Sequence, residues 1–184
     1  GNYNNMDYVI NYGVKKEKTA VIRIGPAIYA PHFVEPNQRE CGIADLRSLG
    51  VNDEKVLLCI SRLENLKRSD HMIKALSCLK DKNLKIKALF VGDGEARVAH
   101  AKLAKELGVS DQIIFCGNKD QDWLYRVIPC AAVVVSPLTG RSLVEAALGG
   151  APIAAYDIDW QNEIIEQGVT GELVPYLNYS LLAN

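Results

Sequence analysis

Between Lys55 and Val174, short apolar runs alternate about five times with helical stripes, and no motif repeats. This alternation is the strongest constraint on the fold. Val56–Ile60, Ile86–Val91, Ile113–Cys116, Ala131–Val135 and Ile153–Tyr156 are near-continuous apolar segments that end at glycine, proline or polar residues. Continuous runs of this kind are strands buried on both faces, and strands interleaved with helices build βαβ units. The pattern predicts a three-layer α/β/α domain on a parallel sheet of about six strands, closed by Glu172–Val174. Helices are expected over 69–79, 95–107, 121–128, 142–148 and 162–167, with Gly108 and Gly149-Gly150 as stops.

The first forty residues lack this regularity. Gly1–Asp7 is Asn-rich and reads as a loose end; Tyr8–Val14 reads as a short helix stopped by Gly13. Thr19–Ile24 is β-branched and runs into Gly25-Pro26, as a strand entering a turn does. Pro31–Glu40 reads as a surface linker, and Ile43–Gly50 as a helix closed by its glycine. The expected organisation is an extension and hinge over residues 1–40 and the α/β domain over 41–184.

Composition removes several function classes. A hydrophobic fraction of 48% supplies a core and is too high for a disordered chain. Lys and Arg number 21 against 22 Asp and Glu, a net charge of −1. A nucleic-acid binder working through bulk charge carries a basic surplus, so no nucleic-acid partner is expected. No apolar run approaches the ~18–20 residues of a membrane helix. Five cysteines without CxxC spacing, two of them (Cys59 and Cys116) inside apolar runs, read as reduced structural thiols of a cytoplasmic protein. His32, His71 and His100 are scattered and read as structural or exposed; no general acid–base pair and no metal site stands out.

In such a sheet, ligands sit at the carboxyl ends of the strands, so the informative residues follow each strand. After the first comes Ser61-Arg62-Leu63-Glu64-Asn65-Leu66-Lys67. Arg62 and Lys67 either converge on a diphosphate or lie on a solvated loop with Arg62 paired to Glu64. After the second, Gly92-Asp93-Gly94 either admits a ligand close to the backbone or forms a tight turn with Asp93 capping the next helix. This is not the GxGxxG dinucleotide fingerprint, because the later glycine is missing. Ahead of 142–148, Gly140 frees the backbone beside a helix start suited to phosphate. There Ser142 and Glu145 fit an S-x-x-E capping box. Glu145 either caps the helix or accepts hydrogen bonds from a vicinal diol. Trp123 and Trp160 read as packing or rim residues.

The order strand–SRLENLK–helix–strand–VGDGE–helix–LGV–strand–FCGN–helix–strand–SP…LVEAALGGAPIAAYD…EII…GVTGELV resembles the carboxyl-terminal, donor-binding domain of family-4 (group 1) glycosyltransferases of the GT-B fold. The resemblance spans roughly Thr19 to Val174, with Thr19–Phe33 similar to the hinge that leads into that domain. It implies a Rossmann-like half of a retaining enzyme that moves a sugar from a UDP-, GDP- or ADP-linked donor without a required metal. By that likeness Arg62 and Lys67 bind the diphosphate and stabilise the leaving nucleotide. The Gly92, Asp93 and Gly94 turn borders the donor; Gly117, Asn118 and Lys119 lie by the nucleobase; Gly140, Arg141, Ser142 and Leu143 lie against the phosphates; Glu145 contacts ribose; and Thr139 or Arg141 is the candidate to touch the donor sugar. It also implies an amino-terminal acceptor half absent from this segment, through which the whole protein would meet the inner face of a membrane. Polysaccharide or lipid-linked glycan synthesis is the expected setting. Gly1 in place of Met reads as the cut edge of a longer protein, and donor binding without turnover is the activity expected of the segment alone.

Three departures stand out. The first Glu of the family's E-x7-E pair should lie eight residues before Glu145, where the chain has Pro137. The usual EGFG is absent, and the glycine before the Arg is Ser61. Two alternatives therefore accompany the transferase reading: a catalytically degenerate nucleotide-sugar-binding domain, and a GT-B-type UDP-sugar epimerase, which needs acidic and histidine residues in its cleft.

Overall fold

The computed structural model describes residues 2–22, 33, 35–138 and 140–183. Six strands, β1 Lys55–Ile60, β2 Ile86–Val91, β3 Ile113–Gly117, β4 Val133–Ser136, β5 Ile153–Tyr156 and β6 Gly171–Val174, form one sheet in the order β3-β2-β1-β4-β5-β6. Every pairing is parallel. The helices are α1 Tyr3–Asn11, α2 Gln38–Ser48, α3 Asp70–Cys78, α4 Arg97–Glu106, α5 Gln121–Val127 and α6 Ser142–Leu148.

The period-2 alternation of the strands divides the core into two layers. Val56, Leu58 and Ile60 of β1, with Leu89 and Val91 of β2, pack with Leu46 of α2, Val127 of α5 and Ala146 of α6. Cys59 and the β2 residues Ile86, Ala88 and Phe90 face the other way, onto Met72, Ile73 and Leu76 of α3 and Ala104 of α4. The apolar runs lack the alternation of a half-exposed sheet because both faces are covered. The expected three-layer α/β/α architecture is present.

The chain runs outward from β1 to β2 and β3, then returns to the middle and continues to β4, β5 and β6. The order reverses between β1 and β4, which pair through Leu57 with Val133 and Leu58 with Val134. Loops leaving the carboxyl ends of two such strands diverge and open a crevice. The loop after β1 begins at Ser61, and the loop after β4 at Pro137.

Several local expectations are corrected. The amino-terminal segment is helical from Tyr3, because the Asn2 side chain accepts the Asn5 N–H at 2.7 Å and caps the first turn. Residues 19–22 form no strand: Thr19 is extended, but none of the four is buried and Ile22 is 75% exposed, so the β-branched side chains lack the packed surface that favours a strand. Arg23 and Ile24 lie outside the described residues, as do His32 and Thr139. The linker expected up to Glu40 already contains the start of α2, and Phe33 is buried against Tyr125 with ring centroids 4.9 Å apart. The helix expected over 162–167 is reduced to a single turn, Gln161–Glu163. Its remainder is diverted into a turn: the Glu166 N–H donates to Thr170 Oγ1 at 2.8 Å, and the Leu173 N–H to Gln167 Oε1 at 2.6 Å.

The two described histidines, His71 and His100, are structural. His71 Nδ1 lies 2.6 Å from the Tyr156 hydroxyl and His100 Nε2 lies 2.8 Å from Ser69 Oγ, both buried. Burial lowers the pKa of each imidazole. The five cysteines are free thiols. Burial pushes the thiols of Cys59 and Cys116 up to about 11, which keeps them protonated and poor nucleophiles.

Candidate functional site: a cationic cleft at the switch point

A cleft of about 430 Å³ opens between the loops after β1 and β4. Arg62 and Lys67 come from the first loop, Gly92 from the end of β2, Asn118 and Lys119 from the end of β3, and Gly140, Arg141, Ser142 and Glu145 from the loop and helix after β4. Ile60, Ser61, Val91 and Leu124 complete the lining. Of these, Ile60, Val91 and Leu124 were legible in sequence only as strand and helix core positions.

The charge balance of this cleft differs from that of the chain. Arg62, Lys67, Lys119 and Arg141 bring four cations to the wall, against Glu145 as the one carboxylate among the described lining residues. In a protein of net charge −1 this is a local concentration of positive charge. Lys119 Nζ stands 5.4 Å from the centroid of the Trp123 ring, so the buried indole helps hold it. Arg62 Nη1 meets Glu64 Oε1 at 3.1 Å, the pairing anticipated in the sequence. The Arg62 side chain is 75% exposed, so this pair is weak and exchangeable for a stronger anion.

The turn after β2 holds the Arg62 loop in place. Gly92 has φ +123°, and a Cβ there would lie 2.1 Å from the Ser61 carbonyl oxygen. Gly94 has φ +159°, and its Cβ would lie 2.4 Å from the Leu63 carbonyl oxygen. The close contact made possible by these glycines is with the chain itself. Hydrogen bonds complete the clamp: the Ser61 N–H donates to the Val91 carbonyl at 3.0 Å, Leu63 N–H to Asp93 at 3.0 Å and Ala96 N–H to Leu63 at 2.9 Å. Asp93 accepts the Gly94 N–H at 2.8 Å and meets Arg97 at 3.5 Å, so its carboxylate serves the turn; the N-cap of α4 is Ala96. Gly117, at φ +66°, gives its carbonyl to the Gly92 N–H at 2.8 Å. Asp93, Gly94 and Gly117 are not among the residues that line the cleft.

Two expectations about the last loop change. The S-x-x-E capping box does not form: the N-cap of α6 is Arg141, with α-helical dihedrals and no side-chain cap, which puts Ser142 inside the helix. Released from capping, Glu145 is half-buried at the cleft wall, and burial raises its pKa while Arg141 pulls it back. Leu143 is fully buried and its N–H donates to Gly140 O at 3.1 Å, so it anchors α6 in the core and presents no side chain to a ligand. Among the described residues no group of three or more His, Cys, Asp and Glu is placed to hold a metal, and no helix is long and apolar enough to cross a membrane.

A parallel sheet of this order with a cationic crevice at its reversal is the Rossmann-like architecture of anion- and nucleotide-binding domains. Residues 44–184 match the family of glycosyl transferases group 1, and the chain belongs to it. It is 31% identical over 130 residues to an uncharacterized glycosyltransferase of Methanocaldococcus jannaschii, covering 68% of this chain and 33% of that protein. It is 28% identical over 183 residues to the D-inositol 3-phosphate glycosyltransferase of Kribbella flavida, covering 92% of this chain and 42% of the relative. The chain thus spans less than half the length of these relatives. The crystal structure of Anabaena HepE in complex with UDP superposes with a TM-score of 0.83 at 25% identity, covering 99% of this chain and 50% of that one. The fold is one half of a GT-B glycosyltransferase.

Proposed function

We propose that this chain is the donor-binding domain of a retaining glycosyltransferase, and that the cleft between β1 and β4 takes the diphosphate of a nucleoside-diphosphate sugar. The observation that carries this reading is the convergence of Arg62, Lys67, Lys119 and Arg141 on one crevice of a near-neutral chain. The UDP in the structurally similar HepE complex supports a uridine diphosphate as the first donor to test. When the bond between the anomeric carbon and the β-phosphate oxygen breaks, negative charge develops on the departing diphosphate. Arg62 supplies a planar fork and Lys67 a point charge to stabilise it. In this reading the two cations do the work with no required metal. Glu145, half-buried and uncapped, accepts hydrogen bonds from the ribose hydroxyls. Asn118 and Lys119 border the base, and Gly140, Arg141 and Ser142 line the phosphates.

Residues 1–40 act as an extension and hinge in this scheme, and the acceptor site belongs to an amino-terminal half like that of the longer relatives. The protein works in the cytoplasm, in the synthesis of a polysaccharide or lipid-linked glycan, and meets the membrane through that other half.

One observation favours a second reading. Pro137 stands where the resemblance places the first acidic residue of the pair, and a proline offers the sugar no carboxylate. A degenerate domain that binds a donor without transferring its sugar has this feature. The natural full-length protein, incubated with UDP-, GDP- and ADP-sugars and a glycan acceptor pool, separates the two. Release of nucleoside diphosphate with a product of the donor's anomeric configuration is expected. An inverted product contradicts the retaining assignment, and tight binding without release points to the degenerate domain.

A further inference from the structure

Gln161 lies in the turn after β5, is 2% exposed, and does not itself line the cleft. Its Nε2 lies 3.1 Å from the carbonyl oxygen of Ser136 and 3.0 Å from that of Pro137. Carbonyl oxygens only accept, so the atom facing both must be the amide nitrogen, with one hydrogen spent on each. Its Oε1 is buried and has no hydrogen-bond partner among the described residues. The backbone is tied down as well: the Gln161 carbonyl accepts the N–H of Ile164 at 3.1 Å and of Ile165 at 2.9 Å, and Ile165 is buried in the core.

Ser136 ends β4, and Pro137 opens the loop that leads to Gly140, Arg141 and Ser142 on the cleft wall. We propose that Gln161 is a positioning residue for that wall: its amide fixes the end of β4 and thereby the course of the loop that carries Gly140, Arg141 and Ser142. The inference rests on the reading of the cleft as a diphosphate site. The amide suits this task as its neighbours in size do not. Leucine offers no donor. At neutral pH glutamate turns lone pairs toward two carbonyl lone pairs, and asparagine is one methylene short. Two hydrogen bonds gained are set against one buried acceptor left unpaired, so the residue adds little to global stability. Its contribution is geometric.

The test compares the wild-type chain with Gln161→Leu and Gln161→Glu, using UDP as the probe in calorimetry and amide exchange followed by mass spectrometry. Gln161→Leu is expected to melt within a few degrees of wild type and to bind UDP about tenfold more weakly, as for two lost bonds that orient the wall. Its exchange rises over 136–142 and stays at the wild-type level in β1, β2 and β3. Gln161→Glu binds weakly near about pH 8 and recovers near about pH 5.5, because a buried carboxyl protonates early and its O–H again donates to a carbonyl. A residue that serves global stability alone shows the acid rescue in Tm and leaves the UDP affinity of the folded chain unchanged between the two pH values. Gln161→Leu that binds UDP within about twofold of wild type, or exchange that rises evenly over the whole sheet, overturns the inference. Failure of the wild type itself to bind UDP, GDP or ADP overturns the reading of the cleft instead, and with it the function given to the wall.

Discussion

Gly92 and Ser61 approach so closely that a Cβ on Gly92 would lie 2.1 Å from the Ser61 carbonyl oxygen. The loop bearing Arg62 is therefore shaped by the end of β2 as well as by its own strand. Gly92→Ala adds this overlap to a φ of +123°, a conformation costly for any residue with a Cβ. Strain and overpacking together are expected to cost about 2–4 kcal/mol. For a domain of this size that lowers Tm by about 4 °C or more. Differential scanning calorimetry checks this, and an unchanged Tm contradicts the clamp.

Arg62 and Glu64 compete with any anion for the same guanidinium. Glu64→Gln releases Arg62 and removes a negative charge beside the cleft. Because the Arg62 side chain is 75% exposed, the gain is modest: nucleoside-diphosphate affinity rises about two- to fivefold at low salt and less at high salt. Titration of both chains at two salt concentrations measures it. A weaker Glu64→Gln chain shows that Glu64 helps to hold the ligand.

Glu145 links stability to pH. Burial raises its folded pKa above the unfolded value. A carboxyl shifted in this direction contributes stability below its unfolded pKa and loses it as pH rises through the folded pKa. Glu145→Gln is therefore expected to melt higher than wild type at neutral pH and to converge with it in acid. The same change removes the acceptor for ribose and weakens nucleotide binding. Melting curves from acid to neutral pH, paired with one titration, separate the two effects. Equal melting temperatures at every pH contradict the burial argument.

His71 and His100 act in the opposite sense. Burial lowers both pKa values, so each ring is neutral in the fold. Their stability contribution is complete above the unfolded pKa and is lost as pH falls through that value toward the folded one. Tm is expected to fall as the solution is acidified from neutral, and His100→Gln to flatten part of the fall. Because Glu145 acts in the other direction, the profile is read in the Glu145→Gln background, where a flat curve contradicts the burial of neutral rings.

The central elements were legible because their signals are redundant. Ile86–Val91, Ser142–Leu148 and Ile153–Tyr156 fall where apolar runs and punctuating glycines or polar residues place them. The cleft residues Arg62, Lys67, Lys119 and Glu145 were legible because a parallel sheet gathers its strand ends. What escaped depends on dihedrals and partners. The capping box failed because Arg141 is already helical, which sequence spacing does not encode. The helix at Tyr3 was hidden in an Asn-rich run whose Asn2 turns out to be its cap. The sequence left Gly92 and Gly94 open between a ligand approach and a tight turn, and only the structure shows that their close contacts are with Ser61 and Leu63. Gln161 gave no signal at all, since its partners are two backbone carbonyls 24 and 25 positions away.

The central claim is that one cationic crevice, at the reversal of strand order, binds a nucleoside diphosphate. Calorimetric titration of the chain with UDP, GDP and ADP, beside Arg62→Ala and Lys67→Ala, tests it directly. At least one nucleotide is expected to bind, with each substitution weakening it by about tenfold or more, as for a lost charge-assisted contact, and with Tm held near wild type. No heat at about millimolar ligand, near the weak limit of specific affinity, or affinity untouched by both substitutions, would contradict the account.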